Sequence, residues 1–114
     1  MNLVHKTASI SSSADLGENI FIGPMAVIGP NTHIGDDTKI MNKASVAHDT
    51  FIGKRCLIAD GSSIAGSVYV GDDVIVGLNS FINMNLKIGS KTIIASGLGA
   101  YSSTKAETKI FPET

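Results

Sequence analysis

Counting in sixes from Val4 reaches Ile10, Leu16, Ile22, Ile28, Ile34, Ile40, Val46, Ile52, Ile58, Ile64, Val70, Val76, Ile82, Ile88 and Ile94, and every one of these sixteen positions holds Ile, Leu or Val. Glycine or alanine follows most of them, as at Gly17, Gly23, Gly35, Ala47, Gly53, Ala59 and Gly71. Two places before them the residue is mostly small or β-branched, as at Ala26, Thr38, Ala44, Thr50, Cys56 and Ser62. A period of six fits neither an amphipathic helix nor a coiled coil. It fits a short strand with two inward residues, followed by a corner where Gly or Ala keeps the backbone close. Three strands and three corners close one coil of a triangular tube, and successive coils stack at about 4.8 Å. The run from Val4 to Ile94 carries no insertion, which predicts an all-β parallel helix of about five coils, roughly 25 Å tall. The expected domain covers residues 1–98. Residues 99–114 are read as a polar tail, extended or loosely ordered, with Ile110 and Phe111 as anchors.

The two inward columns form the core on this reading. Cys56 falls in the narrow one, so it is a small buried hydrophobe rather than a nucleophile. The residue before each aliphatic faces outward, and these positions sort into three columns because residues one coil apart stack. The first reads Leu3, Phe21, Lys39, Leu57, Ile75, Ile93 and is apolar apart from the lysine. The second, Ser9, Val27, Ser45, Ser63, Phe81, Gly99, is mixed like a solvated face, as is the third, Asp15, His33, Phe51, Tyr69, Lys87, with Lys105 next if the helix runs that far. A continuous apolar stripe on a thin tube marks an interface, and Phe21, Leu57, Ile75 and Ile93 are expected to carry self-association.

Nine basic and ten acidic residues give a net charge of -1 with no block of one sign, which speaks against nucleic-acid or membrane-surface partners. One cysteine cannot form an internal disulfide, and no stretch has the length or apolarity of a membrane span or a secretory leader. The expected compartment is the cytoplasm.

Three histidines are available, His5, His33 and His48. They do not share a column, no His-x4-His pair exists, and a zinc site is not expected. His5 and His33 read as surface residues. His48 lies just past a corner, between Pro30 below and Gly66 above, where small neighbours leave its ring accessible.

The stretch AHDTFIGKRCLIADGSSIAGSVYVG, residues 47–71, resembles the catalytic coil of the hexapeptide-repeat acyltransferases, which fold as left-handed parallel β-helices. Two branches are similar. In the acyl-carrier-protein-dependent enzymes of lipid A biosynthesis an Ala-His-Asp segment is followed by Ile-Ala-Gly. In the acetyl-coenzyme A enzymes that acetylate sialic acid or amino-sugar nucleotides, His-Asp occurs with a downstream Gly-x-Asn-Ser, here Gly77-Leu78-Asn79-Ser80.

The resemblance implies left-handed coiling, a homotrimer, and acyl transfer to an amino or hydroxyl group of a sugar or nucleotide sugar. Acetyl-CoA is the expected donor and an acyl carrier protein the alternative. His48 becomes the general base, a role for which imidazole is the commonest side chain, and Asp49 its partner. Alternation along a strand would send those two side chains apart, so their contact follows from the resemblance alone. Ala65 and Gly66 are the expected backbone oxyanion donors, and Gly77, Asn79 and Asn83 line the coenzyme A groove between subunits. The pattern departs from the family in two ways. Leu57, Ser67 and Asn83 stand where several relatives have a second histidine, and neither the N-terminal βαβ domain of the amino-sugar enzymes nor the C-terminal helical region of the lipid A enzymes has a counterpart here. A non-catalytic trimeric solenoid is the alternative of another class.

Overall fold

Each hexapeptide contributes a strand of only two residues, an outward one and then the aliphatic. The computed structural model describes residues 1–113 and contains eighteen such strands among them. They form three parallel faces. Face one stacks Leu3–Val4, Phe21–Ile22, Lys39–Ile40, Leu57–Ile58, Ile75–Val76, Ile93–Ile94 and Lys109–Ile110. Face two runs from Ser9–Ile10 through Ser45–Val46 to Gly99–Ala100, and face three from Asp15–Leu16 through Phe51–Ile52 to Lys87–Ile88. Pairing follows the predicted register, with Leu57 beside Ile75, Ser63 beside Phe81 and Tyr69 beside Lys87. The result is the predicted all-β parallel solenoid, with a long dimension of 41 Å. No helix among the described residues is long and apolar enough to cross a membrane.

Both inward columns are buried from Ile20 to Ile94 apart from the half-buried Leu86, with Ile22, Ile34, Ile40, Ile52 and Ile58 fully enclosed. Ala26, Thr38, Ala44, Thr50, Cys56 and Ser62 fill the narrow column, as expected. Its hydroxyls do more than fit. Thr32, Thr38 and Ser80 donate to the carbonyls of Ala47, Gly53 and Ala95 at 2.8 Å, tying each strand entrance to the corner above. A buried hydroxyl without such an acceptor would cost about 1–3 kcal/mol.

The corners have a second period of six that the aliphatic count does not reveal. Asn19, Met25, Asn31, Asp37, Lys43, Asp49, Arg55, Ser67, Asp73, Asn79, Asn85 and Lys91 all have φ between 53° and 63°, and Gly61 and Gly97 complete the series. This left-handed conformation costs roughly 1–2 kcal/mol for a residue with a Cβ, and Asn, Asp and Gly tolerate it best. It is held because it aims each N–H at the coil below. Asp49 donates to Pro30 at 2.9 Å, Ser67 to His48 at 3.0 Å and Asn85 to Gly66 at 3.1 Å. The ladder is therefore continuous through the corners as well as the faces.

The helix also extends beyond residue 98. Gly99–Ala100 pairs with Phe81–Ile82, and Lys109–Ile110 pairs with Ile93–Ile94. The final turn is short, since Ile93 meets Lys109 and Ile88 meets Thr104, sixteen residues on in each case. The shortening falls at Tyr101–Ser103, so Ser103 rather than Lys105 stands above Lys87 and binds its N–H at 2.9 Å. Residues 99–110 form a sixth turn in place of the free tail that the hexapeptide count suggests.

Corner tightness can be measured. A Cβ at Gly35 would lie 2.5 Å from the carbonyl carbon and oxygen of Gly53 in the next coil. Gly35→Ala should lower the unfolding free energy by about 1–3 kcal/mol in urea titration, the usual cost of overpacking against backbone.

Candidate active site

The corner between faces two and three stacks Gly29-Pro30-Asn31, Ala47-His48-Asp49, Ala65-Gly66-Ser67 and Asn83-Met84-Asn85. His48 is therefore between Pro30 and Gly66, as expected from the repeat. Its side chain is 59% exposed and its Nδ1 lies 2.8 Å from Oδ2 of Asp49. Strand alternation argued against that contact. The left-handed φ of 54° at Asp49 removes the objection, because the pair sits on a corner and both side chains leave on the same side. An ionised carboxylate only accepts, so Nδ1–H donates to Asp49 and Nε2 keeps its lone pair.

Nε2 sits beneath Gly66. A Cβ on that glycine would come within 2.5 Å of Nε2 and 2.7 Å of Cε1, so only glycine leaves the ring where it is. The two backbone donors expected here are not equivalent. Ala65 N–H donates to Ile82 at 3.0 Å and is committed to the ladder, while Gly66 N–H has no partner among the described residues. The cause is one coil higher. At four matching positions a side chain in the coil above caps this N–H: Glu18 is capped by Asp36, Lys54 by Asp72, Asp72 by Ser90 and Leu78 by Ser96, at 2.8–3.0 Å, while Asp36, Asn42, His48 and Asp60 share with Gly66 the lack of a partner among the described residues. Above Gly66 stands Met84, which brings no oxygen.

Asn83 shares this corner, two coils above His48. Its N–H donates to Ala100 and its Oδ1 accepts from Met84 N–H. Gly77 and Asn79 lie on the corner between faces one and two, so a single chain does not bring them to His48. Asn79 faces Gly61 there, beside a shallow cavity with Asn42 and Asp60. Another cavity, of about 540 Å³, opens on face one around Leu3, Phe21 and Lys39, away from the imidazole.

The other histidines are also placed. His5 bonds Thr7 at 2.9 Å in the first coil. His33 accepts no part in the His48 cluster. Its Nδ1 lies 2.8 Å from Asp15 Oδ2, and its ring stacks on Phe51 at 4.7 Å, which stacks on Tyr69 at 4.9 Å. The third outward column is thus an ordered aromatic ladder at coil spacing, a signal present in the sequence as three planar side chains eighteen residues apart. Among the described residues no three His, Cys, Asp or Glu side chains converge as a metal site.

The profile of the GMPPB C-terminal domain matches residues 1–105. The chain belongs to the GMPPB C-terminal domain family. A search of curated proteins gave no match. Among solved structures, PerB from Caulobacter crescentus, in complex with CoA and GDP-perosamine, is similar at 29% identity and a TM-score of 0.93, over 95% of this chain and 52% of that one. The acetyltransferase domain of PglB from Neisseria gonorrhoeae has 20% identity and a TM-score of 0.94, over 96% and 53% of the two chains. An Arabidopsis UDP-N-acetylglucosamine acyltransferase has 18% identity and a TM-score of 0.68, over 95% and 48%. The last two bear on the fold alone. This chain spans about half the length of these structures, and the resemblance to hexapeptide-repeat acyltransferases read from residues 47–71 agrees with them.

Cys56 lies outside the site. Burial pushes its thiol up to about 11, and Sγ contacts the Gly71 carbonyl at 3.1 Å. The native protein should resist a thiol-specific disulfide reagent at pH 8 and react fully in denaturant. A folded-state pKa above the unfolded value near 9 stabilises the fold at neutral pH, and that contribution should be lost as pH rises from about 9 to 11. Urea titrations of wild type and Cys56→Ala across that range measure it.

Proposed function

We propose that the chain transfers an acetyl group from acetyl-CoA to an amino or hydroxyl group of a sugar or nucleotide sugar. The observation that carries this reading is the joint placement of a polarised imidazole and an uncapped backbone N–H on one exposed corner. PerB, the neighbour complexed with CoA and GDP-perosamine, supports the choice of donor and acceptor.

His48 Nε2 removes the proton from the attacking amine or hydroxyl as the new C–N or C–O bond forms at the thioester carbonyl. Asp49 holds the imidazole in the tautomer with Nε2 free and stabilises the imidazolium that results. The oxyanion of the tetrahedral intermediate accepts from Gly66 N–H. Collapse breaks the C–S bond, and the thiolate leaves with the proton returned by His48. Coenzyme A occupies a groove between subunits, with Asn83 on the His48 corner and Gly77 and Asn79 reaching it from a neighbouring chain.

The assembly is a homotrimer. Leu57, Ile75 and Ile93 stack in register on face one, with Phe21 separated from them by Lys39; Phe21, Leu57 and Ile93 are half-buried and Ile75 is 40% exposed. Covering such a stripe returns roughly 25 cal/mol per Å². The reading of acetyl-CoA as donor and a nucleotide sugar as acceptor favours a cytoplasmic enzyme.

Thiol release from acetyl-CoA with amino sugars and their nucleotide derivatives tests the chemistry. His48→Ala should reduce kcat by about 10²–10⁴-fold; equal rates in both proteins would remove His48 from the mechanism, and no turnover in wild type would leave a scaffold as the better description. Met84→Ser should cap Gly66 N–H as Ser96 caps Leu78, raising stability by up to about 1 kcal/mol while lowering kcat about tenfold or more. In sedimentation equilibrium wild type should be trimeric at micromolar concentration and Ile75→Asp monomeric.

A further inference from the structure

Two cavities meet end to end on face three beside the His48 corner. The lower, of about 350 Å³, starts at Asp49 and is lined by Phe51, Ser67, Tyr69, Asn85 and Lys87. The upper, of about 530 Å³, continues past Tyr69 and Lys87 to Gly89 and Thr104. Tyr69 and Lys87 line both and stand between them as a shared waist. The shortened sixth turn puts the small Ser103 above Lys87 and brings Thr104 to the wall of the upper one.

The walls differ in character. Parallel stacking buries the faces of the Phe51 and Tyr69 rings against each other and leaves their edges as an apolar strip. Opposite them Ser67 and Asn85 follow Asp49 up the left-handed column and present polar side chains. Lys87 is exposed and has no ion-pair partner among the described residues.

We propose that this groove binds a nucleotide sugar as acceptor, with Lys87 reading its phosphate. The inference rests on the acetyl-transfer reading and deepens it. The sugar occupies the lower compartment with its reacting group at His48. Its hydroxyls face Ser67 and Asn85, its C–H edge meets the aromatic strip, and the nucleoside lies beyond the waist.

Spacing selects acceptor over donor. Lys87 stands two coils above the Phe51 strand, about 10 Å from the level of the base. That distance is comparable to the span from a ring substituent to a phosphate on the far side of a pyranose. The diphosphate of coenzyme A is separated from its thioester by the whole pantetheine arm, which is longer when extended. A phosphate on Lys87 also forms the strong, charge-assisted class of hydrogen bond.

Titration calorimetry of the full chain at fixed low salt tests this, with UDP-glucosamine, GDP-mannose, free glucosamine and acetyl-CoA as probes. Lys87→Gln should weaken the nucleotide sugar that wild type binds by about tenfold or more, the worth of one hydrogen bond to a charged group. Acetyl-CoA affinity should stay the same. Tyr69→Ala should weaken the same ligand without affecting acetyl-CoA. An unchanged nucleotide-sugar affinity in Lys87→Gln, a loss of acetyl-CoA affinity in its place, or failure of wild type to bind either nucleotide sugar overturns the proposal. Because binding is read without turnover, Lys87-dependent binding with no acetyl transfer would overturn the catalytic reading and leave the groove standing. Transfer with an unaffected Lys87→Gln would do the reverse.

Discussion

The whole molecule depends on a backbone conformation that most side chains avoid. Every sixth residue from Asn19 to Gly97 takes a left-handed φ, which turns the chain through a corner and aims its N–H down onto the preceding coil. Without that turn, two-residue strands would have too few ladder bonds to persist. With it, the aliphatic column, the narrow column and the outward columns all keep phase over the length of the solenoid. The strain at Met25, Lys43 or Arg55 is repaid by corner hydrogen bonds and by a core of fully enclosed isoleucines.

The same device makes the site. A corner releases two consecutive side chains on one side, which strands cannot do, and so His48 and Asp49 meet. It also leaves one N–H per corner pointing up towards the next coil, where an Asp or Ser accepts it at Glu18, Lys54, Asp72 and Leu78. Replacing that acceptor by Met84 gives up a hydrogen bond to the fold and leaves a donor free at Gly66, one coil above the imidazole. Stability and chemistry compete for the same backbone group, and one side chain decides which has it.

Much of this was legible in the sequence, because a six-residue period translates directly into position. The inward columns, the stripe of Leu57, Ile75 and Ile93, and the place of His48 between Pro30 and Gly66 follow from counting. Features that depend on corner dihedrals do not. The count treats residues 48 and 49 as alternating and the resemblance offers Ala65 and Gly66 together as donors, whereas φ at Asp49 joins the first pair and Ile82 separates the second. The resemblance groups Gly77 and Asn79 with His48 in a groove between subunits; within one chain a full face divides them. Residues 99–110 were illegible for a different reason: a loss of two residues at Tyr101–Ser103 breaks the count while the pairing resumes beyond it.

That short last turn has a consequence for solubility. Stacked two-residue strands present bare hydrogen-bonding edges at an open end, the kind of template on which other chains polymerise. With one corner trimmed, faces one and two finish on two-residue strands while face three carries only the single bridge of Thr104 to Ile88. A second solenoid meeting that edge would find two strands to extend instead of three, which weakens templated growth there.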